Sequence, residues 1–232
     1  MSIRLASLIL PVYNQADHIG KALLEYLGVL GGLDFPCELI PVINGRRHDR
    51  SLEICQDLAE KYPEVRPLCI EAGGWGRAVR IGLAAARGDL LCYTNSARTS
   101  GTDLLQMLHY GSIHTDMIVK ASRKGRESVL KQFGSLLYNL ECRMLFDLAC
   151  WDVNGTPKVF SRDHHARLLG LRSDDDLIDL EFHAICRIEG YPLLEVPIVS
   201  TSRRAGKSTT NLKSALRMYV GALGLRREIG RL

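Results

Sequence analysis

The feature that most constrains the fold is a regular alternation of short apolar segments and amphipathic segments over the first 122 residues. Residues 6–12 (ASLILPV) are nearly all apolar, which is typical of a strand buried on both faces of a parallel sheet. Ile19, Leu23 and Leu30 then recur at helical spacing. The pattern continues with strands predicted at 38–43, 65–70, 89–94 and 117–121, and helices at 49–61, 77–87 and 102–110. The chain therefore predicts an α/β fold with a mostly parallel sheet flanked by helices.

After residue 122 the segments become longer and more helical. Helices are predicted at 126–149, 176–189 and 211–227, and strands at 159–160 and 193–199. The polar, basic stretch at 200–210 (STSRRAGKSTT, with its first Ser at 200) predicts a loop. No repeat or low-complexity linker interrupts the chain, which favours a single domain.

Composition excludes several classes of protein. The 30 basic and 26 acidic residues give a net charge of +4, which is too weak to indicate a nucleic-acid partner. The seven cysteines include no C-x-x-C pair, so they predict reduced core residues and neither disulfides nor a zinc site. No signal peptide and no run of 18 apolar residues is present, which predicts a cytoplasmic location without a membrane span.

Two glycine-rich motifs resemble nucleotide sites but lack the required spacing. Residues 73–76 (GGWG) contain no G-x-G-x-x-G, and the first strand ends in Pro-Val-Tyr-Asn where that fingerprint normally begins. Residues 206–208 (GKS) lack the glycine that a P-loop needs five positions earlier, where Thr201 stands. Neither motif predicts a dinucleotide or P-loop site.

A third set of motifs runs in order along residues 5–225. Residues 7–14 (SLILPVYN) and 78–91 (AVRIGLAAARGDLL) resemble the opening strand and the helix–strand unit of family 2 glycosyltransferases, which have the GT-A fold. Three later segments resemble one branch of that family, the polyprenyl-phosphate sugar transferases such as dolichyl-phosphate mannose synthase. These segments are 152–160 (DVNGTPKVF), 179–181 (DLE) and 203–208 (RRAGKS).

The resemblance implies one GT-A-type glycosyltransferase domain over residues 1–232. Its nucleotide-binding half would be 1–122 and its acceptor half 123–232. The implied partners are a nucleotide sugar and a lipid-phosphate acceptor at a membrane surface, reached by peripheral association. The amphipathic helices at 126–149 and 211–227 suit an interfacial helix, a homodimer contact or a core position equally well.

The sequence departs from the family where a divalent metal is normally held. The family's D-x-D pair follows the fourth strand, and those positions are Thr94, Asn95 and Ser96 here. Without carboxylates, Mg²⁺ and Mn²⁺ lose the ligands that they prefer. We therefore expect no bound metal, and we expect the guanidinium of Arg98 to meet the diphosphate as a catalytic group instead.

Two other functions stay open at this stage. Loss of both carboxylates also fits a relative that no longer catalyses transfer and retains the cleft as a binding or scaffolding protein. A sugar nucleotidyltransferase shares the sheet topology, but its glycine-rich loop would follow the first strand, where Pro11-Val12-Tyr13-Asn14 stand.

The expected nucleotide site lies at the carboxyl ends of the first strands, where ligands of parallel sheets bind. The predicted nucleotide-binding residues are Pro11, Tyr13, Asn14, Asn44, Gly45, Gly74, Arg77 and Ser96.

The expected acceptor site uses acidic and basic residues of the second half. By resemblance, Asp179 and Glu181 are catalytic candidates, although residues two apart on a helix cannot face the same site, which favours Asp179 as base or acceptor contact. Arg123, Arg203 and Lys207 are predicted to contact phosphate on the acceptor side.

Overall fold

The computed structural model describes residues 2–46, 49–124, 129–199 and 212–229, with backbone only at 124, 129–133, 199, 212–216 and 229. The strands are β1 (Ala6–Val12), β2 (Cys37–Asn44), β3 (Leu68–Ile70), β4 (Leu90–Tyr93), β5 (Ile118–Lys124), β6 (Lys158–Ser161) and β7 (Leu193–Val199). The helices are α1 (Ile19–Leu30), α2 (Ser51–Lys61), α3 (Trp75–Ala85), α4 (Gly101–Ile113), α5 (Val129–Phe146), α6 (Ile178–Glu189) and α7 (Leu212–Ile229), with a 3₁₀ turn at Ala166–Gly170.

The seven strands form one sheet in the order β3-β2-β1-β4-β6-β5-β7. All neighbouring pairs are parallel except those of β6, which runs antiparallel to both β4 and β5. The carboxyl ends of β1, β2 and β4 therefore lie on one edge of the sheet, and β6 begins there. This edge carries the polar side chains described below.

The sheet is covered on both faces, which explains why β1 is buried along its whole length. Leu8 and Leu10 pack on one face against α1, α2 and α4, while Ile9 packs on the other against α3 and α6. A third apolar cluster joins α5, α6 and α7 around the fully buried Cys142, Leu180 and Ala222. The predicted single α/β domain with a mostly parallel sheet is confirmed.

Element boundaries differ from the predicted ones by a few residues. Helix α3 begins at Trp75, directly after Gly74, two residues earlier than predicted. Helix α5 ends at Phe146 because Asp147 has a positive φ of 51°, which a helix does not accommodate. The predicted loop at 200–210 lies outside the described residues. Within the described part of the chain, no helix has the length and apolar character that crossing a bilayer requires.

Candidate functional site

Four of the predicted nucleotide-binding residues meet at the carboxyl ends of β1 and β2. Asn44 donates from Nδ2 to the Val12 carbonyl at 2.9 Å and accepts the Gly74 amide at its Oδ1 at 3.1 Å. It thus ties β1, β2 and the start of α3 together. We call Tyr13, Asn44, Gly45 and Gly74 the strand-end wall.

Gly45 permits a close approach within the strand-end wall. Its φ is +78°, and a Cβ there would lie 3.1 Å from the ring of Tyr13 and 3.3 Å from the Gly73 Cα. Tyr13 is 43% exposed, so part of its aromatic ring is accessible at the sheet edge. Pro11 is buried within β1, and Asn14 is half-buried with a positive φ of 49°. The sheet edge thus offers a flat aromatic surface beside polar groups, which suits a planar ring.

The amino end of α3 is covered by residues 172–175, which we call the clasp segment. Asp174 accepts the Arg77 amide through its carbonyl at 3.0 Å, and its carboxylate pairs with the guanidinium groups of Arg77 and Arg80. The Arg77 hydrogen bond holds the pKa of Asp174 below its ordinary value. Arg77 therefore lies beside the strand-end wall, but with its charge paired.

The predicted catalytic candidate Glu181 supports the clasp segment. Its carboxylate accepts the amides of Arg172, at 2.9 Å, and Ser173, at 2.7 Å. Both carboxylate oxygens of Glu181 are therefore directed at the clasp segment. The two carboxylates of the D-x-E motif thus diverge, as the helical spacing predicts.

The loop after β4 contains the residues that stand in the family's metal positions. Thr94 and Thr99 share a hydroxyl–hydroxyl bond of 2.7 Å, and the fully buried Ser96 donates to Gln15 Oε1 at 2.7 Å. Asn95 Oδ1 accepts the Ala97 amide at 3.0 Å. Each side-chain oxygen is therefore already hydrogen-bonded, that of Ser96 to Gln15 in the loop after β1, and Ser96 is buried instead of lining the cleft in which it was predicted.

Asp179 lies at the junction of β4, β6 and α6, held by two groups that sequence reasoning missed. The Tyr93 hydroxyl donates to its Oδ1 at 2.8 Å, and the Lys158 ammonium pairs with the same oxygen. Burial lowers the pKa of Lys158, and its pairing with Asp179 opposes that shift. Burial, with the neighbouring Asp179 charge, raises the pKa of Tyr93 well above its ordinary value. We call Tyr93, Lys158 and Asp179 the carboxylate clamp.

The side chain of Arg123 is held by Asp152. Its Nε and Nη2 contact the two oxygens of Asp152 at 2.8 and 2.6 Å, and its amide donates to Asp152 Oδ2 at 3.0 Å. The side chain of Arg123 remains 20% exposed. Burial acts against the guanidinium, but the Asp152 contacts outweigh it and raise the pKa of Arg123. Arg123, the predicted phosphate contact, is therefore already paired with the carboxylate of Asp152. The other two predicted phosphate contacts, Arg203 and Lys207, lie outside the described residues.

His183 is the least satisfied polar group near the carboxylate clamp. It is fully buried, and within the described residues neither ring nitrogen meets a hydrogen-bond partner in good geometry. Burial, followed by the charges of Lys158 and Lys120, lowers the pKa of His183 well below its ordinary value, and a backbone contact at Val153 only partly opposes this. The imidazole is therefore neutral at pH 7.

The neutral state of His183 predicts a pH-dependent stability. Because the folded pKa is lowered, the unfolded chain binds the proton first, and stability is lost as pH falls below about 6.5. His183→Leu is expected to remove about 1 kcal/mol of the stability loss between pH 6.5 and 5.5. Urea unfolding at both pH values measures this, with His109→Leu, an exposed histidine on α4, as the control. An unchanged pH slope in His183→Leu would contradict the assignment.

The sequence and the fold were compared with those of known proteins. The sequence profile of Glycosyl transferase family 2 matches residues 7–108. Glucosyl-3-phosphoglycerate synthase from Mycobacterium tuberculosis, solved with Mn²⁺, UDP and phosphoglyceric acid, superposes with a TM-score of 0.71 at 16% identity, covering 96% of this chain and 78% of that one. Its complex with Mg²⁺ and UDP gives 0.69 at 14% identity, with coverage of 96% and 79%. No significant match was found among curated proteins.

A third structure has the same fold. It is described only as a mycobacterial protein, has a TM-score of 0.71 at 17% identity, and is matched over 96% of this chain and 74% of that one. The superpositions confirm the GT-A-type fold, and the family profile supports the resemblance to family 2 glycosyltransferases over residues 7–108. At these identities the superpositions establish the fold alone.

One prediction from the sequence needs correction. We expected no divalent metal, but the similar structures with this fold were solved with Mn²⁺ or Mg²⁺, so that prediction is wrong. The residues of this chain do not supply the usual ligands, however. Thr94, Asn95 and Ser96 offer no carboxylate, and no group of three His, Cys, Asp or Glu side chains among the described residues could hold a metal ion.

Proposed function

We propose that this protein is a glycosyltransferase of the family 2 type that takes a sugar from a nucleoside diphosphate sugar. The observation that carries the proposal is the strand-end wall, in which Asn44 joins β1, β2 and α3 and Gly45 lies against the partly exposed Tyr13. Parallel sheets bind ligands beyond the carboxyl ends of their strands. The profile match at residues 7–108 covers all of these elements.

In this proposal residues 1–122 form the donor half. Tyr13 stacks on the nucleotide base, and Gly45 and Gly74 allow the base to approach the backbone closely. Pro11 and Asn14 shape the turn that carries Tyr13. Ser96 acts indirectly by fixing Gln15 and thus the loop after β1. Arg98, half-buried in the loop after β4, and Arg77 approach the diphosphate, where negative charge grows as the glycosidic bond breaks. Since Arg77 is paired with Asp174, it contributes only after that pair rearranges.

Residues 123–232 form the acceptor half in the same proposal. Asp179 provides the carboxylate that contacts the acceptor or takes its proton, and Arg123 with Arg203 and Lys207 contacts acceptor phosphate. Glu181, bonded to the backbone of the clasp segment, is assigned a structural role in place of the predicted catalytic one. The acceptor class suggested by the sequence resemblance is a polyprenyl phosphate, reached by peripheral binding at a membrane surface, with a homodimer as the proposed assembly.

A divalent metal enters the proposal through the similar structures, which hold Mn²⁺ or Mg²⁺. Since the loop after β4 offers no carboxylate, a metal that accompanies the donor would have to be held mainly by the diphosphate oxygens. Donor binding is therefore to be measured with Mn²⁺, with Mg²⁺ and with EDTA.

Nucleotide binding is the first test. A nucleoside diphosphate at about 100 times its Kd should stabilise the protein by roughly 2.7 kcal/mol, which for a domain of this size raises the Tm by about 5–10 °C. Arg98→Ala should weaken the shift from diphosphates far more than that from nucleosides, because the guanidinium meets phosphate. Arg4→Ala, on the opposite sheet edge with a side chain 85% exposed, is the control. Uridine and guanosine nucleotides and their sugars form the panel.

The rival function is a binding protein that has the cleft but no turnover. The observation that favours it is the neutral loop after β4, which lacks both carboxylates. The two functions separate in an assay for free nucleoside diphosphate released from a bound nucleotide sugar. Binding without release, across the acceptor panel and with each metal, would establish the rival. No thermal shift with any nucleotide would exclude both.

A further inference from the structure

The carboxylate clamp contains a side chain to which the resemblance gives no role. Lys158 opens β6 and is fully buried, yet it carries an amine into the interior. The strand register sets it opposite Tyr93 of β4, and both side chains converge on Oδ1 of Asp179. The Lys158 ammonium also donates to the Val153 carbonyl at 3.1 Å. A buried lysine is costly unless it is paired, so this arrangement calls for an explanation.

A second buried lysine shows what a purely structural pairing looks like in this sheet. Lys120 of β5 lies opposite Lys158 in the β5–β6 register and is equally buried. Its ammonium bonds Glu195 of β7 and the Trp151 carbonyl, each at 2.6 Å. Glu195 is 27% exposed at the side chain and lies on the edge strand, away from the strand-end wall. Lys120 therefore ties β5 to β7, whereas Lys158 faces the junction of the two halves.

The geometry at Asp179 is asymmetric. Oδ1 receives both the Tyr93 hydroxyl and the Lys158 ammonium. Among the described residues, no hydrogen bond reaches Oδ2. Two donors on one oxygen fix the rotation of the carboxylate and leave the other oxygen with its lone pairs for a further partner.

We propose that Lys158 is a positioning residue, which together with Tyr93 fixes Asp179 so that Oδ2 is directed at the acceptor. This rests on the proposed function, because it assigns Asp179 to the transfer reaction. Lys158 itself touches no substrate and acts only through the carboxylate. A carboxylate free to rotate would spend most of its time outside the productive geometry, and misplacement by about 1 Å can cost roughly 100-fold in rate.

The test compares Lys158→Met with Lys120→Met. Both variants remove a fully buried amine from adjacent strands, so both are expected to lose stability. Only Lys158→Met is expected to lower kcat, by about 100-fold, while the donor KM stays within about twofold. Equal kcat values in the two variants, or an unchanged kcat in Lys158→Met, would overturn the positioning role.

A less disruptive pair of variants tests the same role if Lys158→Met does not fold. Tyr93→Phe removes the other bond to Oδ1 and keeps the ring, and is expected to lower kcat by about 10-fold at constant donor KM. Its control is Tyr26→Phe, a buried tyrosine whose hydroxyl donates to the Thr99 carbonyl at 2.9 Å. If Tyr93→Phe and Tyr26→Phe have the same kcat, the inference is wrong. Absence of transfer in the unaltered protein would instead overturn the proposed function itself.

Discussion

Asp179→Ala is expected to lower the free energy of unfolding by about 3–5 kcal/mol, because it leaves the Lys158 ammonium buried without its partner. The same carboxylate also accepts the Tyr93 hydroxyl, so two donors lose their acceptor at once. Urea unfolding at pH 7 measures the loss. The double variant Asp179→Ala/Lys158→Met should recover a large part of it, since the unpaired charge is then removed.

The pH dependence of the Asp179→Ala variant provides a separate check. Burial lowers the pKa of Lys158, and without Asp179 nothing in the clamp opposes that shift. The folded variant then binds fewer protons than the unfolded chain, so its stability rises with pH up to the unfolded lysine value of about 10.4. The deficit relative to the unaltered protein is expected to shrink between pH 7 and pH 10. A deficit below about 1 kcal/mol at pH 7 would show that Lys158 finds another partner.

Gly76→Ala is expected to displace the clasp segment and to cost about 3 kcal/mol of stability. A Cβ at Gly76 would overlap the Ser173 carbonyl oxygen and would lie 2.6 Å from that of Asp175. Both are backbone atoms, so relief requires movement of the segment and not a rotamer change. Since the segment covers the amino end of α3 beside Gly74, nucleotide-induced stabilisation should fall as well.

The matched control for Gly76→Ala is Gly28→Ala. Gly28 lies in the interior of α1, and a Cβ there would meet nothing within 4 Å. Alanine at this position should raise stability by about 0.5–1 kcal/mol. Differential scanning calorimetry with and without nucleoside diphosphate separates the two effects. A Gly76→Ala protein with unchanged Tm would show that the clasp segment yields at little cost.

Much of the fold follows from periodicity alone. The apolar runs mark the buried strands, since β1 covers residues 6–12 as predicted and β7 covers 193–199. The strand ends then predict where Asn44, Gly45 and Gly74 meet, because carboxyl ends of parallel strands share an edge. This part of the candidate site needed no knowledge of pairing between distant residues.

The remaining part of the site depends on contacts that no local pattern encodes. Asp174 pairs with Arg77 across 97 positions and Tyr93 bonds Asp179 across 86, and an acidic run or a tyrosine in a strand carries no sign of its partner. In the sequence, Lys158 is a polar residue directly before the predicted strand at 159–160. Only the antiparallel register with β4 turns it inward toward Asp179. The metal prediction failed for a different reason. The absence of carboxylates shows which ligands the loop after β4 lacks, and it does not show whether the reaction uses a metal.

The position of β6 has a consequence for how the chain can be divided and made. β5 ends the first half in sequence, yet among the described strands its sheet neighbours are β6 and β7, which follow about 34 to 69 residues later. A fragment ending at residue 124 would hold β5 with no strand to join, and β4 would present a bare edge open to aggregation. During synthesis the sheet stays incomplete until residue 199 has left the ribosome. The proposed donor and acceptor halves therefore cannot be separate units of folding, and we expect neither to be soluble when expressed alone.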